Sequence, residues 1–222
     1  MVLKHYIITR FSILDVNTDK FILTRTNTKE EIINILFDNN RLNFKFSVFD
    51  KMTYPSIINQ TYKNYVWLIF ASAYLPEEYK IKLNKYTRKQ IKIIYVKNFQ
   101  DMDTYLEKQL QDVNNYTTIR LDDDDGLCNT YLEELNKYKN NNNCIISFPN
   151  GIKFKLIDNQ IIYGLKSIFK KNAQGMTAIN FNIFNAGNHM LVDKKYNVIY
   201  DNYEDAYFLC CSEYCDTKRN FT

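Results

Sequence analysis

Apolar and polar positions along the chain fall into two alternating patterns. Short runs rich in β-branched and aromatic residues, His5–Thr9, Val66–Phe70, Ile91–Val96 and Tyr116–Leu121, predict strands. The unbroken apolar run Val66-Trp-Leu-Ile-Phe70 is the signature of a strand covered on both faces. Between these runs the period lengthens. Thr28-Lys-Glu-Glu31 is a capping-box pattern, followed by Ile32, Ile33, Leu36 and Phe37 at helical spacing. Phe46–Ile58 is interrupted by Pro55, which suits the first turn of a helix running towards Gln60. Pro76 opens a basic amphipathic helix through about Arg88, and further helices are expected over Asp101–Val113 and Asn129–Tyr138. Later, Cys144–Phe148 and Ile152–Ile157 read as a hairpin whose turn carries Pro149-Asn150-Gly151. Ala178–Phe184 is strand-like, and a last helix is expected over Glu204–Cys215. A first half that alternates strand and helix, and a second half of hairpins and loops, predict an α/β domain with a mostly parallel sheet. No repeat or linker marks a boundary.

Composition narrows the class but not the partner. With 222 residues, 45% of them hydrophobic and 24% charged, the chain can bury a sizeable core, so wholesale disorder is excluded. Five Gly and three Pro exclude collagen-like and low-complexity material. A net charge of +4 is too weak to argue for nucleic acid. Five cysteines without a C-x-x-C pair, beside only two histidines, argue against structural zinc. Cys210, Cys211 and Cys215 are expected as a buried, reduced cluster. The start lacks a leader pattern and no apolar run approaches about 18 residues, so a soluble, cytoplasmic protein without an integral membrane segment is expected. Lys80, Lys82, Lys85, Arg88, Lys89 and Lys92 read as a solvated helix face rather than a membrane or RNA contact.

The candidate chemistry lies at Asp122-Asp-Asp-Asp125-Gly126, directly after the strand Tyr116–Leu121. Four consecutive carboxylates repel one another at neutral pH, and a bound divalent cation removes that cost. In open α/β sheets ligands bind outside the carboxyl ends of strands, where this cluster falls. In extended backbone Asp122 and Asp124 would share one side and Asp123 and Asp125 the other, so one alternate pair could share a hard cation. An EF-hand is excluded, since placing Gly126 at loop position 6 puts leucines (Leu121 and Leu132) at positions 1 and 12. The bland alternative is a solvated acidic turn capping a helix from about Asn129.

Thr118-Ile-Arg120-Leu121-Asp122-Asp-Asp-Asp125 resembles the T-x-R-L-D-D-D-D motif of the family named Putative rhamnosyl transferase, related to family 2 glycosyltransferases. Upstream segments agree in order and spacing: Tyr6–Ser12, then Phe49, then Pro55-Ser56-Ile-Ile-Asn-Gln60-Thr61, then Trp67-Leu-Ile. The resemblance spans residues 5–135 and implies a GT-A-type fold, a mostly parallel central sheet with helices on both faces. It implies one domain over 1–222, with residues 1–126 as the nucleotide-sugar half and 127–222 as the acceptor half. The implied activity is metal-dependent transfer of a sugar, rhamnose by the family's label, from a UDP- or dTDP-linked donor to a hydroxyl of a glycan or glycoprotein, with inversion.

The resemblance implies roles residue by residue. Thr9, Arg10, Phe11 and Ser72 would line the nucleotide pocket, and Arg120, Asp122 and Asp123 would face the donor. Asp122, Asp124 and Asp125 would hold Mn²⁺ or Mg²⁺, with His189 as a further ligand; a hydrogen-bonded structural histidine is the alternative. For Arg120 a salt bridge within the cluster is an equal alternative to phosphate binding. An inverting transfer needs a base for the acceptor hydroxyl, and Asp205, with Glu204 beside it, is the candidate. Tyr207-Phe-Leu-Cys210 departs from the family's Trp-Leu-Gln and His-Gly elements, so no role is carried over there. Two other readings stay open: a nucleotidyl or phosphoryl transferase using the cluster for two metals, against which the lack of a P-loop counts, and a non-catalytic nucleotide- or glycan-binding module.

Overall fold

The computed structural model describes residues 2–16, 26–215 and 221. Strand β1, Lys4–Phe11, is followed by helix α1, Lys29–Leu36, whose Thr28 forms the expected capping box with Glu31. Helix α2, Asn39–Val48, starts at the Asp38 cap and continues through a π-helical turn, Phe49–Thr53, into α3, Tyr54–Ile58. The wide turn precedes Pro55, which occupies the first turn of α3 where its missing N–H costs nothing. It also turns Phe49, Met52 and Thr53 into the interior. Then come β2, Tyr65–Ser72, α4, Glu77–Asn84, β3, Ile91–Val96, α5, Phe99–Leu110, and β4, Tyr116–Asp122.

After the short β5, Gly126–Leu127, and α6, Tyr131–Leu135, the second half is mainly strands. These are β6, Cys144–Ser147, β7, Asn150–Ile157, β8, Gln160–Ile168, β9, Thr177–Ile179, β10, Asn197–Tyr200, and β11, Tyr207–Cys210. Seven strands form one sheet in the order β10-β6-β9-β4-β1-β2-β3, in which β9 runs against its neighbours. Four form a second sheet in the order β5-β11-β7-β8.

Alternation along the buried strands sends side chains to both faces of the larger sheet. Ile7, Trp67, Ile69, Ile119 and Leu121 join one core, and Tyr6, Ile8, Leu68 and Phe70 another. Each such side chain contributes about 1.5–3 kcal/mol on burial. No helix among the described residues is long and apolar enough to cross a membrane.

Three expectations are corrected here. The GT-A-type description as one mostly parallel sheet gives way to a two-sheet architecture, because β5, β7, β8 and β11 make a sheet of their own. Cys144–Phe148 and Ile152–Ile157 are not a hairpin: β6 and β7 belong to different sheets, and Gly151 lies in β7, where its missing side chain makes room for the Tyr207 ring. The hairpin is β7–β8, turning at Asp158 and Asn159 with φ of 47° and 62°, the left-handed pair of a two-residue turn. The helix expected over Glu204–Cys215 is instead strand β11, which pairs in parallel with β7. Its alternating aromatic and aliphatic residues obey the two-residue period once they have a sheet to join.

Candidate functional site

Strands β1 and β4 are adjacent and parallel, with Arg10 level with Asp122, so both chains leave the sheet at the same carboxyl edge. There β4 ends and a turn begins, in which the Asp125 N–H donates to Asp122 O at 3.3 Å. The turn, rather than extended backbone, distributes the four carboxylates, and the expected pairing of alternate residues is replaced by another division.

Asp122 is the outermost. It accepts from Arg120 Nε at 3.4 Å and Nη2 at 3.3 Å and from Gln174 Nε2 at 3.1 Å, and Arg10 Nη2 stands 3.8 Å away. The Arg10 guanidinium lies 4.9 Å from the Phe184 ring centre and 5.6 Å from that of Phe99. Both arginine side chains remain partly open to solvent.

Asp123 turns inward. Lys45 Nζ donates to its Oδ1 at 2.5 Å, while its buried Oδ2 has no hydrogen-bond partner. Burial raises its carboxyl, Lys45 pulls it back and Asp124 pushes it up again, leaving it at about 6. The Thr53 hydroxyl, presented by the π-helical turn, donates to Asp123 O at 3.2 Å. Asp124 lies 4.0 Å from the same Lys45 and accepts no hydrogen bond from a described residue, although its side chain is only 9% exposed. Asp125 is buried, and its Oδ1 accepts the Cys210 N–H at 2.7 Å, which ties the cluster to the second sheet. Hydrogen bonding with Cys215, burial and the nearby carboxylates hold the Cys210 thiol neutral, far above its ordinary range. The three late cysteines are buried and free, and Cys210 and Cys215 pack with Val48, Met52 and Phe154.

Other expected site residues are placed differently. Thr9 is fully buried and its hydroxyl accepts from Trp67 Nε1 at 2.9 Å, while Phe11 packs on Phe46 and Phe49. Both therefore face the core beneath the edge. Ser72 is buried at the end of β2, where its Oγ accepts the Tyr74 N–H. His189 opens a 3₁₀ turn, His189–Lys194, that packs against β10 at the edge of the larger sheet, and Met190 O in it accepts from Lys171. The four-ligand manganese centre of Asp122, Asp124, Asp125 and His189 is not assembled, since no group of three or more His, Cys, Asp or Glu side chains converges as a metal set among the described residues. That expectation is corrected, because Asp125 is engaged by the β11 backbone.

Glu204 is exposed and pairs with Lys166 at 2.9 Å. Asp205 has a left-handed φ of 51° and a buried Oδ1 without a partner. It precedes β11, whereas the carboxylates meet that strand at Cys210, so about 17 Å of extended chain separates them. The structure does not bring the two expected base residues to the cluster.

Lys45, Arg41 and Gln174 went unread in the sequence. Arg41, buried beside Ser12, adds to the positive field at Asp123. The available signal was two cations four residues apart on a helix face that also carries Leu42 and Phe46.

The model of the family named Putative rhamnosyl transferase matches residues 4–219. No curated protein matches the chain by sequence. Among solved structures, that of S. aureus TarS 1–349 aligns with a TM-score of 0.51 at 7% identity, covering 93% of this chain and 60% of that one. The same TarS fragment in complex with UDP-GlcNAc aligns with a TM-score of 0.54 at 8% identity, covering 95% and 59%. The chain thus spans about three-fifths of that fragment, and the likeness is one of fold.

Proposed function

The chain belongs to the Putative rhamnosyl transferase family, a family of glycosyltransferases, and from that premise we propose that it moves a sugar from a nucleoside diphosphate donor to a hydroxyl of a glycan or glycoprotein. The observation that carries the reading is the meeting of Arg10, Arg120 and the Asp122 turn at one carboxyl edge of parallel strands. Loss of a nucleoside diphosphate requires that its developing negative charge be met by groups already in place. Arg10 and Arg120 supply directional, permanently charged donors for phosphate oxygens. Asp122 holds both guanidiniums in orientation before the donor arrives. Residues up to 126 hold the donor in this reading, and later residues hold the acceptor.

Charge counting adds a partner. Among the described residues, four carboxylates are met by three contacting cations, Arg10, Arg120 and Lys45, with Arg41 adding to the positive field at Asp123, so these groups offer an incoming diphosphate no net positive charge. Asp124, nearly buried and without a hydrogen-bond donor among the described residues, is chemically suited to a hard cation, and Mg²⁺ is commonly held by one or two carboxylates plus substrate phosphates. When bound, such a cation supplies Lewis-acid neutralisation of the leaving group. Asp122 and Asp124 are the residues this chain offers it. Rhamnose is the first sugar to test, on the family's name; Asp205 and Glu204 are assigned no part in the proton transfer.

The test is a thermal-shift titration with dTDP-rhamnose, UDP-GlcNAc and the free diphosphates, with Mg²⁺ or with chelator, on wild type and Asp124→Asn. A Mg²⁺-dependent rise in Tm with a nucleotide sugar, lost in the variant, is expected. No rise with any nucleotide, or one indifferent to Mg²⁺ and to Asp124, would overturn the reading.

A further inference from the structure

Register sets Tyr6 level with Thr118, Ile8 with Arg120 and Arg10 with Asp122. Alternation sends this whole row to the face of the larger sheet opposite Ile7, Ile119 and Leu121. A short 3₁₀ turn, Ile183–Ala186, packs on β4 over that row. The buried Thr118 hydroxyl pins it twice, donating to Phe181 O at 2.7 Å and accepting the Ile183 N–H at 2.8 Å. Asn182 Oδ1 accepts the Phe184 N–H at 3.1 Å. The Phe184 ring is thereby set 4.9 Å from the Arg10 guanidinium carbon, and Phe99, at the start of α5, adds a second ring at 5.6 Å. Phe99 is itself held, its N–H donating to Asp15 Oδ2 at 3.1 Å.

We propose that Thr118 and Phe184 are positioning residues for Arg10, and that ring stacking keeps its guanidinium oriented for a donor diphosphate. The inference rests on the transferase reading above. The chemistry favours rings over a second carboxylate. A carboxylate at hydrogen-bond distance takes N–H groups in the guanidinium plane and cancels its charge. An aromatic face attracts the cation through its quadrupole and takes neither. Asp122 Oδ1, 3.8 Å from Arg10 Nη2, stands beyond hydrogen-bond distance, while the same carboxylate is bonded by Arg120 and Gln174. The rings therefore add an orientation that Asp122 does not impose on Arg10. Thr118 gains a role by the same geometry: one face of β4 carries the pin for Phe184, the second arginine and the start of the acidic turn at alternate residues. Phe184 thus acts on the donor half from the later half of the chain.

The experiment has a ligand-free arm and a ligand-bound arm. In NMR spectra of the ligand-free protein, the Arg10 δ-methylene resonances, identified by their loss in Arg10→Ala, should be displaced by the ring currents of the stack. Phe184→Tyr and Thr118→Ser should keep that displacement, and Phe184→Leu and Thr118→Val should reduce it. In titration calorimetry with UDP and with dTDP in Mg²⁺, Phe184→Leu and Thr118→Val should weaken binding about fivefold, and the two conservative variants by less than about twofold. In an Arg10→Ala background the Phe184→Leu loss should vanish, which a merely structural role would not produce. Arg10 resonances without displacement would overturn the inference and leave the transferase reading standing. So would wild-type binding that Phe184→Leu leaves unaltered, or weakens equally without Arg10. Displaced Arg10 resonances in a wild type that binds neither diphosphate would overturn the transferase reading, and the donor role of the stack with it.

Discussion

At the scale of single residues, two buried titratable groups pull stability in opposite directions with pH. The Asp123 carboxyl rises from 3.8 to about 6 on folding. The folded state therefore holds its proton more tightly than the unfolded state, and stability falls as pH rises through that window. His5, bonded to Thr117 Oγ1 at 2.8 Å with a buried, unpartnered Nε2, drops from 6.5 to about 3 through desolvation. Here the unfolded state takes up the proton first, so stability is lost as pH falls below 6.5. Each effect is on the order of a few kcal/mol, and wild type should show a shallow profile between pH 4 and 6. Asp123→Asn should expose the histidine limb, with the urea midpoint dropping steeply towards acid, and His5→Gln the opposite limb. Lys45→Met adds a second test at the same cluster. Leaving Asp123 charged and unpaired costs about 3–5 kcal/mol, so the loss at pH 8 should exceed that at pH 5, where Asp123 takes up a proton. Urea midpoints equal at both pH values would show that Lys45 acts through packing alone. Lys45 and Asp123 are 78 residues apart in sequence, which is why their pairing was not legible there.

Elements that formed from local signals were legible. The capping box at Thr28, the runs that became β1 to β4 and the Pro55 turn all carry their cause within a few residues. Elements that depend on a distant partner were not. Pro149-Asn150-Gly151 has turn chemistry, yet Gly151 is a strand glycine against which Tyr207 lies, with its hydroxyl donating to Pro149 O and Ser167 Oγ. An added Cβ would meet the Tyr207 ring at 2.4 Å from Cε2, a rigid group bonded at its far end. Gly151→Ala should therefore cost about 1–3 kcal/mol through overpacking, read as a lower urea midpoint. Gly187→Ala meets nothing within 4 Å, but its φ of +77° makes it a backbone-strain control. If the first variant loses no more stability than the second, the β7–β11 packing is looser than the structure has it. Glu204–Cys215 failed as a helix for the same reason: Phe208 pairs with Gly126 and Ile152, and neither neighbour is local.

At the scale of the whole molecule, the acidic turn is where the two sheets are joined. Asp122 ends β4 of the larger sheet, and three residues later Asp125 accepts from Cys210 in the smaller one. The sequence identified the cluster because four carboxylates in a row are visible without a fold. It could not show that Lys45 and the Cys210 N–H, from elsewhere in the chain, engage one oxygen each of Asp123 and Asp125. A ligand held at such a junction should stabilise the molecule as one unit. At about a hundred times its Kd, a donor that binds only the folded state adds about 2.7 kcal/mol, equivalent to roughly 5–10 °C in Tm for a chain of this size. Asp125→Ala should lower Tm without ligand and weaken the donor-induced rise, because it unties the turn from β11. Asp124→Asn should leave the unliganded Tm close to wild type and abolish the Mg²⁺-dependent part of the rise. A single calorimetric transition that shifts intact with ligand is the expected form. Two transitions, only one of which moves, would mean that the sheets melt separately and that Asp125 does not couple them.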